Sequence, residues 1–119
     1  MKEPKTYKAE RSIQSGYIMP DYKEYVFMIC HELEIDPITV KDGRRCRVAQ
    51  FRWIDELCLV LPKWSRTRKT ILHELTHYIE HIVYGKSGHG KNFKHLYKCM
   101  LLKYMGVDAV SDYENALNT

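Results

Sequence analysis

The sequence predicts an α+β fold, with an N-terminal helix, a small and mostly antiparallel three-stranded sheet, and two further helices towards the C-terminus. Apolar residues recur at three- and four-residue spacing in three separate segments, which is the period of an amphipathic helix. Between the first two of these segments lie short β-type runs joined by short connections. With 119 residues, of which 45% are apolar and 29% charged, the chain has the size and composition of one globular domain.

The N-terminal part divides into a polar segment and a helix. Residues 1–15 are polar and show no period, so we predict a flexible tail followed by a single domain over residues 16–119. A helical pattern then runs from Asp21 towards the Asp36-Pro37 pair. We expect the helix to end there, because a residue that precedes proline avoids the helical conformation.

Three short runs predict the strands. Residues 38–40 are β-branched, residues 47–53 alternate between two faces, and residues 57–61 form an apolar run that Pro62 stops. The three residues between the last two runs suit a hairpin, so we expect these two strands to pair antiparallel.

Two helices are predicted after the sheet. The first begins at Ser65 or Thr67 and reaches about residue 84, with an apolar stripe formed by Ile71, Leu75, Ile79 and Ile82. The second runs from about residue 90 to residue 105, and Gly106 is typical of a C-terminal cap. It would bury Phe93, Tyr97, Met100 and Tyr104, and it would place Lys91, Lys94 and Lys98 on the opposite side.

Four of the six histidines fall within residues 70–93. His73 and His77 enclose an HExxH motif, and residues four apart lie one above the other on a helix, so both imidazoles can point at one ion. Glu74 lies about 100° further round the helix, where it can reach a water beside that ion and act as a general base. The motif therefore predicts a metal site, and a zinc ion that does chemistry usually takes three protein ligands.

Two histidines, His81 and His89, compete to be the third ligand. His81 lies eight residues after His73, which is a rise of about 12 Å along a helix. An ion reached from both ends of that span could not also lie about 2.1 Å from a nitrogen of His77. His89 follows a glycine-containing turn that lets the chain fold back, and Phe93, four residues later, would face inward with it. We predict that His73, His77 and His89 are the ligands.

The segment HELTH followed by HGKNF resembles the SprT-like zinc metallopeptidases, the group that includes the Spartan DNA–protein crosslink protease. The resemblance is specific over about residues 57–105, and it implies a zincin-like fold. It also implies that zinc is bound by His73, His77 and His89, and that Glu74 activates a zinc-bound water for peptide-bond hydrolysis. We expect a minimal catalytic domain only, because no cysteine cluster follows residue 105.

The leading hypothesis is a zinc metalloprotease that acts on proteins or peptides, with DNA-associated proteins as one class of candidate substrate. An alternative is a nucleic-acid- or protein-binding module with a structural or vestigial zinc site, although such a site has no need of Glu74. A third hypothesis, a protease of the toxin or repressor-cleaving kind, would normally show a helix-turn-helix, and none is evident in the sequence. The candidates for stabilising the oxyanion are Tyr84, Tyr97 and the Arg66/Arg68 pair.

The net charge of +4 is unevenly distributed. Residues 44–69 contain eight basic side chains, and residues 81–107 contain five lysines and no acidic residue. Such clusters fit either a site for DNA or another polyanion, or a solvated basic face, and both interpretations stay open. We predict substrate or nucleic-acid contacts for Arg66, Arg68, Lys69, Lys91, Lys94 and Lys98.

The sequence gives no sign of a membrane segment. No run approaches 18 apolar residues, and the first twenty residues lack the apolar centre of a signal peptide. The four cysteines form no CxxC pair, which is typical of buried thiols in a reducing compartment. We therefore expect no membrane association and a cytoplasmic location, in the cell of origin or in the host cell of a virus.

Overall fold

The computed structural model describes residues 9–13, 16–86 and 88–118, and it confirms an α+β fold. No helix within those residues is long and apolar enough to cross a membrane. In chain order the elements are α1 (Tyr22–Glu32), β1 (Thr39–Lys41), β2 (Gln50–Arg52), β3 (Cys58–Val60), a 3₁₀ turn (Lys63–Ser65), α2 (Arg68–Tyr84), α3 (Lys91–Met105) and α4 (Val107–Leu117).

The sheet has the strand order β1-β3-β2. The predicted hairpin is present, since β2 and β3 pair antiparallel with Phe51 opposite Leu59. The expectation of a mostly antiparallel sheet is wrong, because β1 pairs parallel with β3, with Val40 opposite Leu59. After β1 the chain passes to the far side of β3 and forms β2 there, and the hairpin then returns it to the centre. The central strand β3 is buried at all three of its residues, as its continuous apolar run requires.

Helix α1 ends at Glu32, earlier than the proline at position 37 predicts. Glu34 adopts a left-handed conformation with φ 57°. Its N–H donates to the carbonyl of His31, and the N–H of Ile35 donates to the carbonyl of Cys30. This pair of hydrogen bonds is a Schellman motif, which satisfies the last helical carbonyls before the proline is reached.

Helix α2 is buried along the motif. Residues 71–78 are all buried, so the histidine motif lies in the interior and not on a polar outer face. Of the predicted stripe, Ile71 and Leu75 are fully buried, whereas Ile82 is 47% exposed. Tyr78 replaces it in the core, and its hydroxyl donates to the carbonyl of Asp36 across 2.7 Å.

Helix α3 packs between α2 and α4. Its buried residues are Phe93, Tyr97, Met100 and Leu101. Gly106 ends α3 as predicted, but the chain continues directly into α4, a helix that we did not predict from the sequence. Tyr113 of α4 is fully buried, and its ring meets that of Tyr97 edge-on at 5.1 Å. Helix α4 therefore packs against α3 and stabilises its position.

Part of the segment predicted as a tail lies against this core. The rest of that segment, residues 1–8 and 14–15, lies outside the described residues. Ala9 and Glu10 are helical, and the chain turns over the next three residues, where the N–H of Ser12 donates to the carbonyl of Ala9. Ala9 and Ile13 are buried among the core side chains, which brings Glu10 next to α2.

Candidate metal centre

Three histidine side chains converge between α2 and the start of α3. His73 and His77 lie one helical turn apart on α2, and their Nε2 atoms are each 3.1 Å from Nε2 of His89. The available ligand atoms of the three residues all lie within 4.8 Å of one another. The structure thus brings together the three histidines that the sequence predicts.

His81 lies outside this group. It is half-buried, and its ring packs against Phe51 at 5.6 Å and Trp53 at 6.3 Å between centroids. As the helical rise predicts, His81 lies away from the other three histidines and packs instead against β2 and Trp53.

The turn that returns His89 is fixed by glycines and by a buried carboxylate. Gly85 ends α2 with φ 74°, a conformation that favours glycine. Gly88 donates its N–H to Oε1 of Glu80 across 2.8 Å. Phe93, on the first turn of α3, then packs its ring against all three histidine rings at centroid distances of 4.5 to 5.0 Å.

The spacing of the three Nε2 atoms is suited to binding one metal ion. Burial lowers the pKa of His77 to about 3 and that of His89 to about 4, so both imidazoles are neutral near pH 7. His73 uses its Nδ1 for a hydrogen bond to Glu10, which leaves the lone pair of its Nε2 facing the centre. Around a tetrahedral zinc ion with bonds of 2.0–2.1 Å, neighbouring nitrogens are about 3.3–3.4 Å apart, close to the 3.1 Å found here.

Glu74 lies beside this point. Its side chain is 5% exposed, and Oε2 is 3.9 Å from Nε2 of His73. Burial raises the pKa of Glu74 from its usual 4.5 to about 7, with Glu10 adding to the rise and His73 opposing it. A carboxyl group with a pKa near neutrality can both accept and return a proton at the pH of a cell.

Glu10 is the residue of the centre that sequence reasoning missed. Nδ1 of His73 donates to Oε2 of Glu10 across 2.6 Å, and both side chains are buried. Burial alone would lower the pKa of His73, but the hydrogen bond and the charges of Glu10 and Glu74 outweigh it and raise that pKa. Glu10 stands in a polar run without period, so no local signal marks it.

Of the basic residues predicted to contact substrate or nucleic acid, Lys69 lines a cleft beside His73 and Glu74. Arg66 donates to the carbonyls of Leu61 and Asp42, and Nζ of Lys69 donates to those of Glu10 and Ile13. Both side chains therefore hold the fold together. Lys98 pairs with Glu114 at 3.5 Å, Lys94 is half-buried, and Arg68 and Lys91 are exposed.

One oxyanion candidate is also engaged elsewhere. Tyr97 is fully buried, and its hydroxyl donates to the carbonyl of Lys69 across 3.0 Å. Burial and the neighbouring Glu10 raise its pKa well above the ordinary value. Tyr97 thus braces α3 against the start of α2.

A cleft of about 390 Å³ opens next to His73 and Glu74. Its far wall is formed by Val48, Ala49 and Trp64. The indole of Trp64 is held in place because its Nε1 donates to the carbonyl of Arg47 across 2.9 Å. The general-base candidate therefore lies at the inner end of a largely apolar cleft.

Together the fold and the site define a class: an α+β protein with an HExxH helix, a third histidine returned by the following turn, and a buried glutamate beside them. The chain belongs to the SprT-like family, whose family model matches residues 46–108. The match includes β2, β3, α2 and all of α3, and with them every histidine of the centre. No curated protein and no solved structure gives a significant match to the chain.

Proposed function

We propose that this chain is a zinc-dependent metalloprotease that hydrolyses peptide bonds. The observation that carries the proposal is the convergence of the imidazoles of His73, His77 and His89 on one point beside the buried Glu74. Membership of the SprT-like family supports it. A structural zinc site is usually closed by four protein ligands, whereas the group of possible ligands found among the described residues consists of three histidines and has no fourth member.

The centre divides the chemistry between the ion and the chain. When bound by His73, His77 and His89, zinc supplies Lewis acidity, which polarises a carbonyl oxygen and acidifies a water molecule. Glu74 has the position to take the proton from the attacking water and to deliver it to the departing amine. The surrounding rings, with Phe93 foremost, exclude bulk water from the inner side of the histidines.

The cleft beside Glu74 has room for a substrate side chain. Its far wall of Val48, Ala49 and Trp64 is apolar, and its inner end reaches the reacting groups. An extended polypeptide whose apolar side chain enters this cleft would bring the neighbouring peptide bond close to Glu74. This is the arrangement that a protease needs and that a purely structural zinc site does not.

The test is a comparison of Glu74→Gln with the wild-type protein. We expect Glu74→Gln to bind one zinc ion per chain and to unfold like wild type, while cleavage of casein falls at least about 100-fold because the general base is lost. His89→Ala should lose zinc, and His81→Ala should keep both zinc and activity. A Glu74→Gln protein that cleaves as fast as wild type would sink the assignment.

We further propose DNA as a partner and the cytoplasm as the setting. Arg44, Arg45, Arg47 and Arg52 are exposed on and around the chain that leads into β2, and Trp53, which follows Arg52 in the sequence, is 49% exposed. Basic side chains interleaved with aromatic rings suit a nucleic-acid backbone and its bases.

All four cysteines are free thiols, which is typical of a reducing compartment and supports the proposed cytoplasmic location.

A further inference from the structure

Glu10 contacts the innermost histidine of the candidate metal centre. His73 is 1% exposed, and its Nδ1–H donates to Oε2 of Glu10 across 2.6 Å. The two residues are 63 positions apart, and Glu10 precedes residues 46–108, over which the family model matches. Neither the HExxH motif nor the family match therefore accounts for this carboxylate.

The segment that carries Glu10 is anchored on two sides. Nζ of Lys69 donates to the carbonyls of Glu10 and Ile13 at 3.3 and 3.1 Å, which ties the segment to the first turn of α2. Oγ of Ser12 lies 2.6 Å from the carbonyl oxygen of Ala9 and 2.9 Å from that of Asp112, so its proton is shared between the segment itself and α4. The carboxylate is therefore delivered to a fixed place.

This hydrogen bond selects one form of the imidazole. A neutral histidine carries one ring proton, and an acceptor at Nδ1 keeps that proton on Nδ1 and leaves the lone pair on Nε2. Nε2 of His73 is the atom that faces His89 at 3.1 Å. A buried carboxylate at Nδ1 also raises the basicity of Nε2 and fixes the orientation of the ring.

His77 has no equivalent support. Its Nδ1 is buried and has no hydrogen-bond partner within the described part of the chain. The two histidines of the motif are thus unequal, because the contact with Glu10 orients the ring of His73 only.

We propose that Glu10 is the positioning residue of the metal centre and that residues 9–13 are a functional part of the site. This inference rests on the proposed zinc site. Glu10 holds Nδ1–H of His73 and thereby orients the ring so that Nε2 points at the place where the three histidines meet. Loss of such a carboxylate partner typically lowers metal affinity about 10- to 100-fold.

The experiment measures zinc affinity by competition with a chromophoric chelator for wild type, Glu10→Gln, Glu10→Ala and Ser12→Ala. Glu10→Gln keeps the size of the side chain but removes its charge, and Glu10→Ala removes the acceptor altogether. Ser12→Ala is the matched control, because it loosens the same segment from α4 and leaves the carboxylate in place. A ¹⁵N-resolved proton spectrum of the zinc form follows Nδ1–H of His73 directly.

We expect Glu10→Ala to bind zinc about 10- to 100-fold more weakly than wild type, Glu10→Gln to lie between them, and Ser12→Ala to stay within about threefold of wild type. The Nδ1–H resonance of His73 should move upfield in Glu10→Gln, which mere loosening of the segment would not cause. If wild type binds zinc and both Glu10 variants bind it as tightly as wild type does, the inference falls and the proposed function stands. If Ser12→Ala loses as much affinity as Glu10→Ala, the segment acts through packing alone and the inference also falls.

A wild-type protein that binds no zinc would overturn both the inference and the proposed function. The two ideas separate in the remaining case, a wild type that binds zinc but does not cleave casein. The proposed protease function then fails, while the zinc affinities of the Glu10 variants still decide the role of Glu10.

Discussion

Glu80 is a second buried carboxylate that supports the histidines, and it acts on the backbone. It lies on α2 three residues after His77, is 5% exposed, and accepts the N–H of Gly88 at 2.8 Å. His89 is the next residue along the chain. Glu80 therefore fixes the position along α2 at which the backbone before His89 contacts that helix.

We predict that Glu80→Ala lowers zinc affinity about tenfold, because the turn before His89 loses the hydrogen bond that anchors it. The measurement is the same chelator competition, together with the hydrogen-exchange rate of the Gly88 amide, which should rise. Glu80→Gln is the control, since its amide oxygen can still accept the bond. Equal affinities for wild type and Glu80→Ala would show that the glycines alone fix the turn.

At the scale of single residues, the sequence identified what a local pattern encodes. His73, Glu74 and His77 follow from their spacing on one helix, and His89 follows from the glycines around it. Glu10 and the role of Glu80 could not be predicted in this way. The first depends on a contact across 63 residues, and the second depends on a bond to backbone, which leaves no mark in the residue type.

Of the glycines in the described residues, Gly43, in the turn after β1, has the most closely packed surroundings. Gly43 has φ 64°, and a Cβ atom placed there would lie 2.9 Å from both the backbone nitrogen of Pro62 and Cγ1 of Val60. The turn therefore lies directly on the end of β3. Gly85 has a similar φ of 74°, but a Cβ atom there would meet nothing within 4 Å.

We predict that Gly43→Ala lowers the free energy of unfolding by about 2–4 kcal/mol, whereas Gly85→Ala lowers it by about 1 kcal/mol. Both substitutions incur the strain of a left-handed residue, and only the first adds overpacking. Urea unfolding of the two variants and the wild type measures the difference. Equal losses would mean that the end of β3 yields freely to the added methyl group.

The elements differed in how much of them the sequence encodes. The ends of α2 and α3 were predicted because glycine and the turn after Pro62 mark them locally. The parallel pairing of β1 was missed, because strand direction depends on where the chain travels between strands. Helix α4 was missed although Ala109, Val110 and Tyr113 have helical spacing, since Gly106 reads equally well as a final cap.

For the whole molecule, the distribution of charge decides where DNA would bind. Lys41, Lys98 and Lys103 are each paired with a carboxylate, those of Glu56, Glu114 and Glu32. Arg44, Arg45 and Arg47 are exposed side chains in the approach to β2. The second group is therefore the better candidate for contacts with phosphates.

We predict salt-sensitive DNA binding by the wild-type protein at about 50 mM salt. Replacing Arg44, Arg45 and Arg47 together by alanine should weaken it and reduce the slope of log K against log salt by up to about 3. The triple alanine variant at Lys41, Lys98 and Lys103 removes the same charge and should bind nearly as well as wild type. Absence of any wild-type mobility shift, or equal weakening by both variants, would refute the prediction.

The contact between Ser12 and Asp112 implies an order in which parts of the site can form during synthesis of the chain. These residues are 100 positions apart, so the segment that supports His73 receives its last anchor only after α4 has been synthesised. A nascent chain that stops within α3 already carries every histidine of the centre, yet it lacks the hydrogen bond to Asp112 that anchors the segment of Glu10. The candidate metal centre is thus completed by a part of the chain that contributes no ligand to it.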